Sequence, residues 1–175
     1  ARLDVDSDVG RVKGTASASG LNGRVPDNIT ADLVIADLQL RHFTGDTTIG
    51  PVSLKLTAEG EDLNSASRSG SIQLRPAQLK FNGQDLSSFK LDGTVRGDSV
   101  FVEAATDAKA LKLSLQARGR WPGAADSLAV ALRIDLDTVH LRDCGSIDHV
   151  LDVHGSMVGH AAFDSTGLGH FMLTA

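Results

Sequence analysis

The chain has 175 residues, 41% of them hydrophobic and 22% charged, with a net charge of −5. This is the composition of a folded domain with room for one sizeable core, and it excludes a disordered tail. Basic residues stand singly, as at Lys55, Arg75, Lys112 and Arg133, with no basic stripe interleaved with aromatics, so neither nucleic acid nor an anionic lipid surface is the expected partner.

The first thirty residues are rich in Gly, Ser and Asp and only loosely patterned, and the strands expected there are the least regular of the chain. Apolar residues then fall on alternate positions at Leu38 and Leu40, at Val52, Leu54 and Leu56, and at Ile72 and Leu74. The pattern resumes at Ala77, Leu79 and Phe81, at Phe89, Leu91 and Val95, and at Val100 and Val102. It is clearest at Leu111–Leu115 and Leu128–Leu136, and returns at Leu151 and Val153 and at Phe171 and Leu173. A period of two gives a strand one apolar and one polar face. Turn-formers separate the runs at Gly45-Asp46, Gly60-Glu61-Asp62, Gly83-Gln84-Asp85, Gly97-Asp98, Pro122-Gly123 and Gly159, the punctuation of an all-β meander. No segment carries an apolar period of 3.6 over eleven residues, and 104–112 reads as a connection between strands.

All four prolines lie at strand edges or turns. At Pro76 the apolar parity switches from even to odd, which predicts a bulge that returns the side chains to one face. Strand endings of the form apolar-x-apolar/small-x-Gly recur at Leu56–Gly60 and Leu115–Gly119, and in shorter form at Leu91–Gly93 and Val153–Gly155. Their uneven spacing suits a long sheet of similar hairpins better than a propeller.

Chemistry-bearing motifs are weak. Asp4, Asp6 and Asp8 open like a calcium loop, but the glycine comes late at Gly10 and Thr15 stands where the loop needs glutamate; they read as the wet side of a strand. The histidines His42, His140, His149, His154, His160 and His170 lack tight ligand spacing, and Asp152 with His154 is a poor zinc pair. No serine sits in a nucleophile elbow and no glycine loop precedes a helix, so an enzyme and a cofactor are not expected. Asn28-Ile29-Thr30 matches a glycosylation sequon, a pattern too common to carry weight. Cys144 is single, which excludes an intrachain disulfide. No run approaches the ~18 apolar residues of a membrane helix, and the opening lacks a signal-peptide core. Patterned sequence reaches both ends, so a central segment of a longer chain is expected, folded as one unit over 1–175.

Only six Phe and one Trp, with no Tyr, are available to span the roughly 10 Å between two packed sheets. An apolar strip several strands long also exceeds what a monomer usually leaves bare, so a facing sheet, a neighbouring domain or lipid must cover it.

The segment from Asp126-Ser127-Leu128 through Asp135-Leu136-Asp137-Thr138-Val139-His140-Leu141 to Gly145 resembles a recurring phrase of TamB proteins, a branch of the AsmA-like superfamily. Leu151-Asp152-Val153-His154-Gly155, the closing Asp164–Thr174 and the earlier Phe89–Val95 fit the same phrasing, so the likeness covers roughly residues 50–175. It implies a periplasmic protein anchored in the inner membrane, whose antiparallel sheet curves into a taco-like trough with an aliphatic concave face. It implies a bridge-like conduit for phospholipid between inner and outer membranes, and an outer-membrane barrel partner for the whole protein. On this reading acyl chains lie against Leu54, Leu56, Leu74, Leu79, Leu113, Leu115, Val130, Leu132, Ile134 and Val153. The alternatives are a chaperone-like scaffold that binds strands of outer-membrane proteins or autotransporters, and a structural repeat domain with a dry core.

Overall fold

The computed structural model describes residues 1–20, 26–45, 48–109, 111–120, 128–140, 152–164 and 167–174; in the last three strands the side chains described are those of 131, 133, 135 and 155–159. The strands are β1 (Arg2–Ser7), β2 (Gly10–Ser19), β3 (Asn28–Leu38), β4 (Val52–Glu61), β5 (Ser69–Gln78), β6 (Lys80–Phe81) and β7 (Gln84–Asp85). They continue as β8 (Lys90–Arg96), β9 (Ser99–Asp107), β10 (Leu111–Arg120), β11 (Leu128–His140), β12 (Asp152–Asp164) and β13 (Gly167–Thr174). One helical turn, α1 (Arg41–Thr44), follows β3 and stops at Gly45, whose φ of 70° closes the turn. Among the described residues no helix is long and apolar enough to cross a membrane.

The fold is an antiparallel meander. Eleven strands join in the order β1-β2-β3-β4-β5-β8-β9-β10-β11-β12-β13, while β6 and β7 form a separate small hairpin. The sheet is open, not closed into a barrel. Tight turns set the register: Gly97 (φ 56°) with Asp98 links β8 to β9, and Asn82 (φ 48°) with Gly83 (φ 78°) links β6 to β7. Two consecutive positive φ values make the latter the hairpin turn whose twist matches the strands.

The parity switch at Pro76 is a bulge. Leu54 faces Pro76 but Ser53 faces Gln78, so Ala77 is the extra residue. The β5–β8 ladder stops at Leu74–Leu91, and Arg75 caps that end. Its guanidinium donates to the Leu74 and Leu91 carbonyls at 3.0 and 2.8 Å and to both oxygens of Asp92 at 2.5 and 2.7 Å. Arg75→Ala should cost about 1–2 kcal/mol in denaturant unfolding. Arg75→Lys should recover only part of it, because an ammonium lacks the planar fork.

Two expectations change. The N-terminal segment is a regular hairpin over 2–19, and its alternation is masked because Gly14, Ala16 and Ala18 occupy the apolar phase. Residues 104–107 complete β9 rather than forming a connection. There Ala104 and Thr106 are buried, and the Thr106 hydroxyl is satisfied 2.9 Å from that of Ser88.

Candidate functional site

Directly opposed residues in an antiparallel ladder share a face, so the register assembles the apolar side strand by strand. One row runs Leu3, Gly14, Leu33, Leu56, Leu74, Leu91, Ala104, Leu115, Ile134 and Met157, from β1 to β12 without a polar residue. The next runs Ala16, Ala31, Ala58, Ile72, Gly93, Val102, Ala117, Leu132, Gly159 and Leu173. A third runs Ala18, Ile29, Gly60, Gly70, Val95, Val100, Gly119, Val130, Ala161 and Phe171. A fourth, Val5, Val12, Ile35, Leu54 and Pro76, is interrupted beyond β5; it resumes at Leu113, Leu136 and Gly155, where β9 contributes the polar Thr106.

The expected wall residues Leu54, Leu56, Leu74, Leu113 and Leu115 all stand in these rows and are half-buried. The backbone register also places Val130, Leu132 and Ile134 in them, and sets Val153 opposite Val139, whose partner on β10 is Leu111. The side chains of those four lie outside the described residues. Leu79 is not in the rows. It lies beyond the bulge, beside the β6–β7 hairpin, with its N–H donated to Ser87 Oγ at 3.1 Å and its carbonyl accepting from Leu86 at 2.8 Å. The intervening hairpin takes it off the main ladder.

The apolar side is incompletely covered. Among the described residues the buried hydrophobics are Val52, Leu63, Ala104 and Ala108 alone, none below 2% exposure, and Ile72 on this face is 41% exposed. The chain presents 11178 Å² of accessible surface. A compact monomer of 18.3 kDa would present about 8,100 Å². Among the described residues the leucines of the apolar rows are half-buried rather than sealed.

A hollow of about 280 Å³ indents the face across β3 to β9, walled by Ile29, Ala58, Ile72, Val95, Val100 and Val102 and closed at one end by Leu63 of the β4–β5 loop. Glycines make its floor. A Cβ on Gly70 would come within 2.7 Å of the Glu59 carbonyl, and one on Gly93 within 2.7 Å of Ile72 Cγ2. Of the two, Gly93 belongs to the repeated strand-ending phrases of the sequence and Gly70 does not. They sit inside the strands, in the apolar phase, where the absence of a side chain lets neighbouring strands close over them. Ile72, Val95, Val100 and Val102 stand in the alternating runs of the sequence, but that they meet Ile29 in one hollow follows only from the cross-strand register.

The opposite face is mainly polar, with Val34, Phe101 and Val158 as apolar exceptions, and much of its charge is paired. Ion pairs join Lys13–Asp4, Lys55–Asp32, Arg75–Asp92, Lys112–Asp107 and Arg133–Asp135. Asp4 and Asp6 lie on this wet side, as expected. Arg120 donates its Nε to Asp98 at 3.0 Å and holds that carboxyl below its usual pKa of 3.8, while Asp135 raises that of the Arg133 guanidinium. A lowered carboxyl pKa contributes stability that is complete above the ordinary carboxylate range and is lost as pH falls through the lowered value. The stability gap between the native chain and Arg120→Ala should therefore stay constant from neutral pH to about pH 5 and shrink below about pH 4 in pH-dependent thermal unfolding.

Among the described residues no three His, Cys, Asp or Glu side chains gather to hold a metal. His42 is exposed on α1; the side chains of the other histidines and of Cys144 lie outside the described residues, as does the pairing of Asp152 with His154. The apolar rows contain no ionisable residue, so this face is suited to holding apolar matter. No protein-family model, curated protein or solved structure matches the chain.

Proposed function

We propose that this chain is a non-enzymatic segment of a TamB-like periplasmic conduit, and that its aliphatic face carries the acyl chains of phospholipids. The observation that carries the reading is the set of three unbroken apolar rows on a face that stays half-exposed. A surface of that length needs a cover, and the TamB-like phrases over 50–175 favour lipid over a second protein layer. A methylene gains about 0.8 kcal/mol on full burial, so ten of them half-covered are held by about 4 kcal/mol. Because the rows repeat from strand to strand and offer no polar anchor, neighbouring positions differ little in energy and a chain slides between them. The head group stays in water at the open side.

The test is lipid content after native purification from a Gram-negative periplasm. Mass spectrometry should detect phospholipid with the chain, and delipidated protein should take up a fluorescent fatty-acyl phospholipid from vesicles. Protein that is lipid-free as isolated, and that takes none up, would favour the dry structural domain.

A further inference from the structure

We propose that Leu63 is a stop that seats the end of one acyl chain in the hollow, so that this stretch of the face selects chains by length. The inference rests on the lipid reading and adds to it a place where a chain halts. Leu63 belongs to a loop, yet it is only 7% exposed and is among the few buried hydrophobics of the described residues. Hydrogen bonds pin that loop to the start of β3. The Leu63 N–H donates to the Asp27 carbonyl at 2.8 Å, the Asp62 N–H to Asn28 Oδ1 at 3.3 Å, and Asn64 Nδ2 to Asp27 Oδ1 at 2.7 Å. So held, the leucine lies over Gly60. A Cβ on that glycine would meet the two Leu63 Cδ atoms at 2.9 and 3.1 Å and Ile29 Cγ1 at 2.9 Å.

Gly60 is the β4 member of the third apolar row, between Ile29 and Gly70. Leu63 therefore fills the space above the row at β4 and ends the hollow there. In the other direction the row runs through Gly70, Val95 and Val100 to Gly119 on β10, with Ala117 beside it in the second row. The small residues Ala117 and Gly119 leave that end low. The hollow is thus blind at β4 and open toward β10, and three strand spacings, about 14 Å, separate β4 from β9.

Hydrocarbon suits this space and a polypeptide does not. Strands β4, β5 and β8 are each paired on both sides, so their N–H and C=O groups are engaged in the ladders. Glu59, Ser71 and Thr94 border the hollow but stand in the opposite phase, which directs their side chains to the other face. A peptide lodged here would take its backbone groups out of water and find them no partner. The two rows are also only about 7 Å apart, too narrow for an α-helix about 10 Å across. A methylene chain has no such groups to satisfy. Its polar head is excluded from the blind end, so the chain lies tail-first with its end against Leu63.

The experiment measures the affinity of the purified chain for single-chain phosphocholines of increasing acyl length, by isothermal titration below their micelle concentrations. Affinity should rise about two- to fourfold with each added methylene until the tail reaches Leu63, and then level off. In Leu63→Ala the rise should continue, leaving the longest ligand bound about tenfold more tightly than by the native chain. A phosphocholine with a photoreactive group at the end of its tail should mark Leu63 and Ile29 in the native chain, which decides the matter even where the variant fails to fold. A rise that never levels off in the native chain, a plateau unmoved in folded Leu63→Ala, or end-label spread evenly from β3 to β9 would overturn the stop and leave the lipid reading standing. Absence of binding at every length would overturn both.

Discussion

Leu56→Asp is expected to abolish lipid uptake while leaving the sheet folded. Leu56 stands in the leucine-rich first apolar row between Leu33 and Leu74 and is half-buried. In the lipid-free chain a carboxylate there stays hydrated, and the cost is the lost half-burial of a leucine, about 1 kcal/mol. With an acyl chain in place the same carboxylate must shed water against hydrocarbon and finds no cation, because the basic residues of β4 and β5 point to the other face. That penalty is at least about 3 kcal/mol, a loss of more than about a hundredfold in affinity. Leu113→Asp should behave alike on β10, whereas Thr57→Asp, on the polar face, should leave uptake unchanged. Circular dichroism and thermal melting separate loss of binding from loss of fold.

Gly70→Val is expected to have the largest effect on stability. Gly70 and Gly60 face each other across β4 and β5, and a Cβ at position 70 would lie 2.7 Å from the backbone oxygen of Glu59. A carbonyl inside a ladder cannot swing aside as a long side chain can, so the strands must part. The cost should be about 3 kcal/mol, seen as a lower denaturation midpoint, with the hollow lost as well. Gly83→Ala, at a hairpin tip where a Cβ meets nothing within 4 Å, pays only for its φ of 78° and should cost about 1 kcal/mol.

The sequence makes some of this legible and hides the rest. Strict alternation at 111–115 and 128–136 gives the strands, their polarity and the all-β class, and the parity change at Pro76 locates a bulge before any coordinate is known. The β1–β2 hairpin is obscured because Gly14, Ala16 and Ala18 satisfy the apolar phase without being hydrophobic enough to register. The glycines of the Leu56–Gly60 and Leu91–Gly93 phrases look like strand endings, since glycine is a turn-former in isolation. Only the structure shows that both lie in the apolar rows inside the sheet and that Gly93 lines the hollow. Leu79 has the right residue type and the right parity, yet it lies beside a hairpin whose two-residue strands are too short to announce themselves. Strand order is not legible in the sequence; the structure supplies it, as a meander in which every main-sheet connection joins neighbours.

The central claim is that the aliphatic rows contact lipid. A photoreactive amino acid placed singly along β4 and β10 tests it in the native envelope, at positions 54, 55, 56 and 57 and at 113, 114, 115 and 116. Lipid adducts should alternate, strong at 54, 56, 113 and 115 and absent at 55, 57, 114 and 116. Uniform labelling, or protein adducts in place of lipid at the apolar positions, would contradict the account.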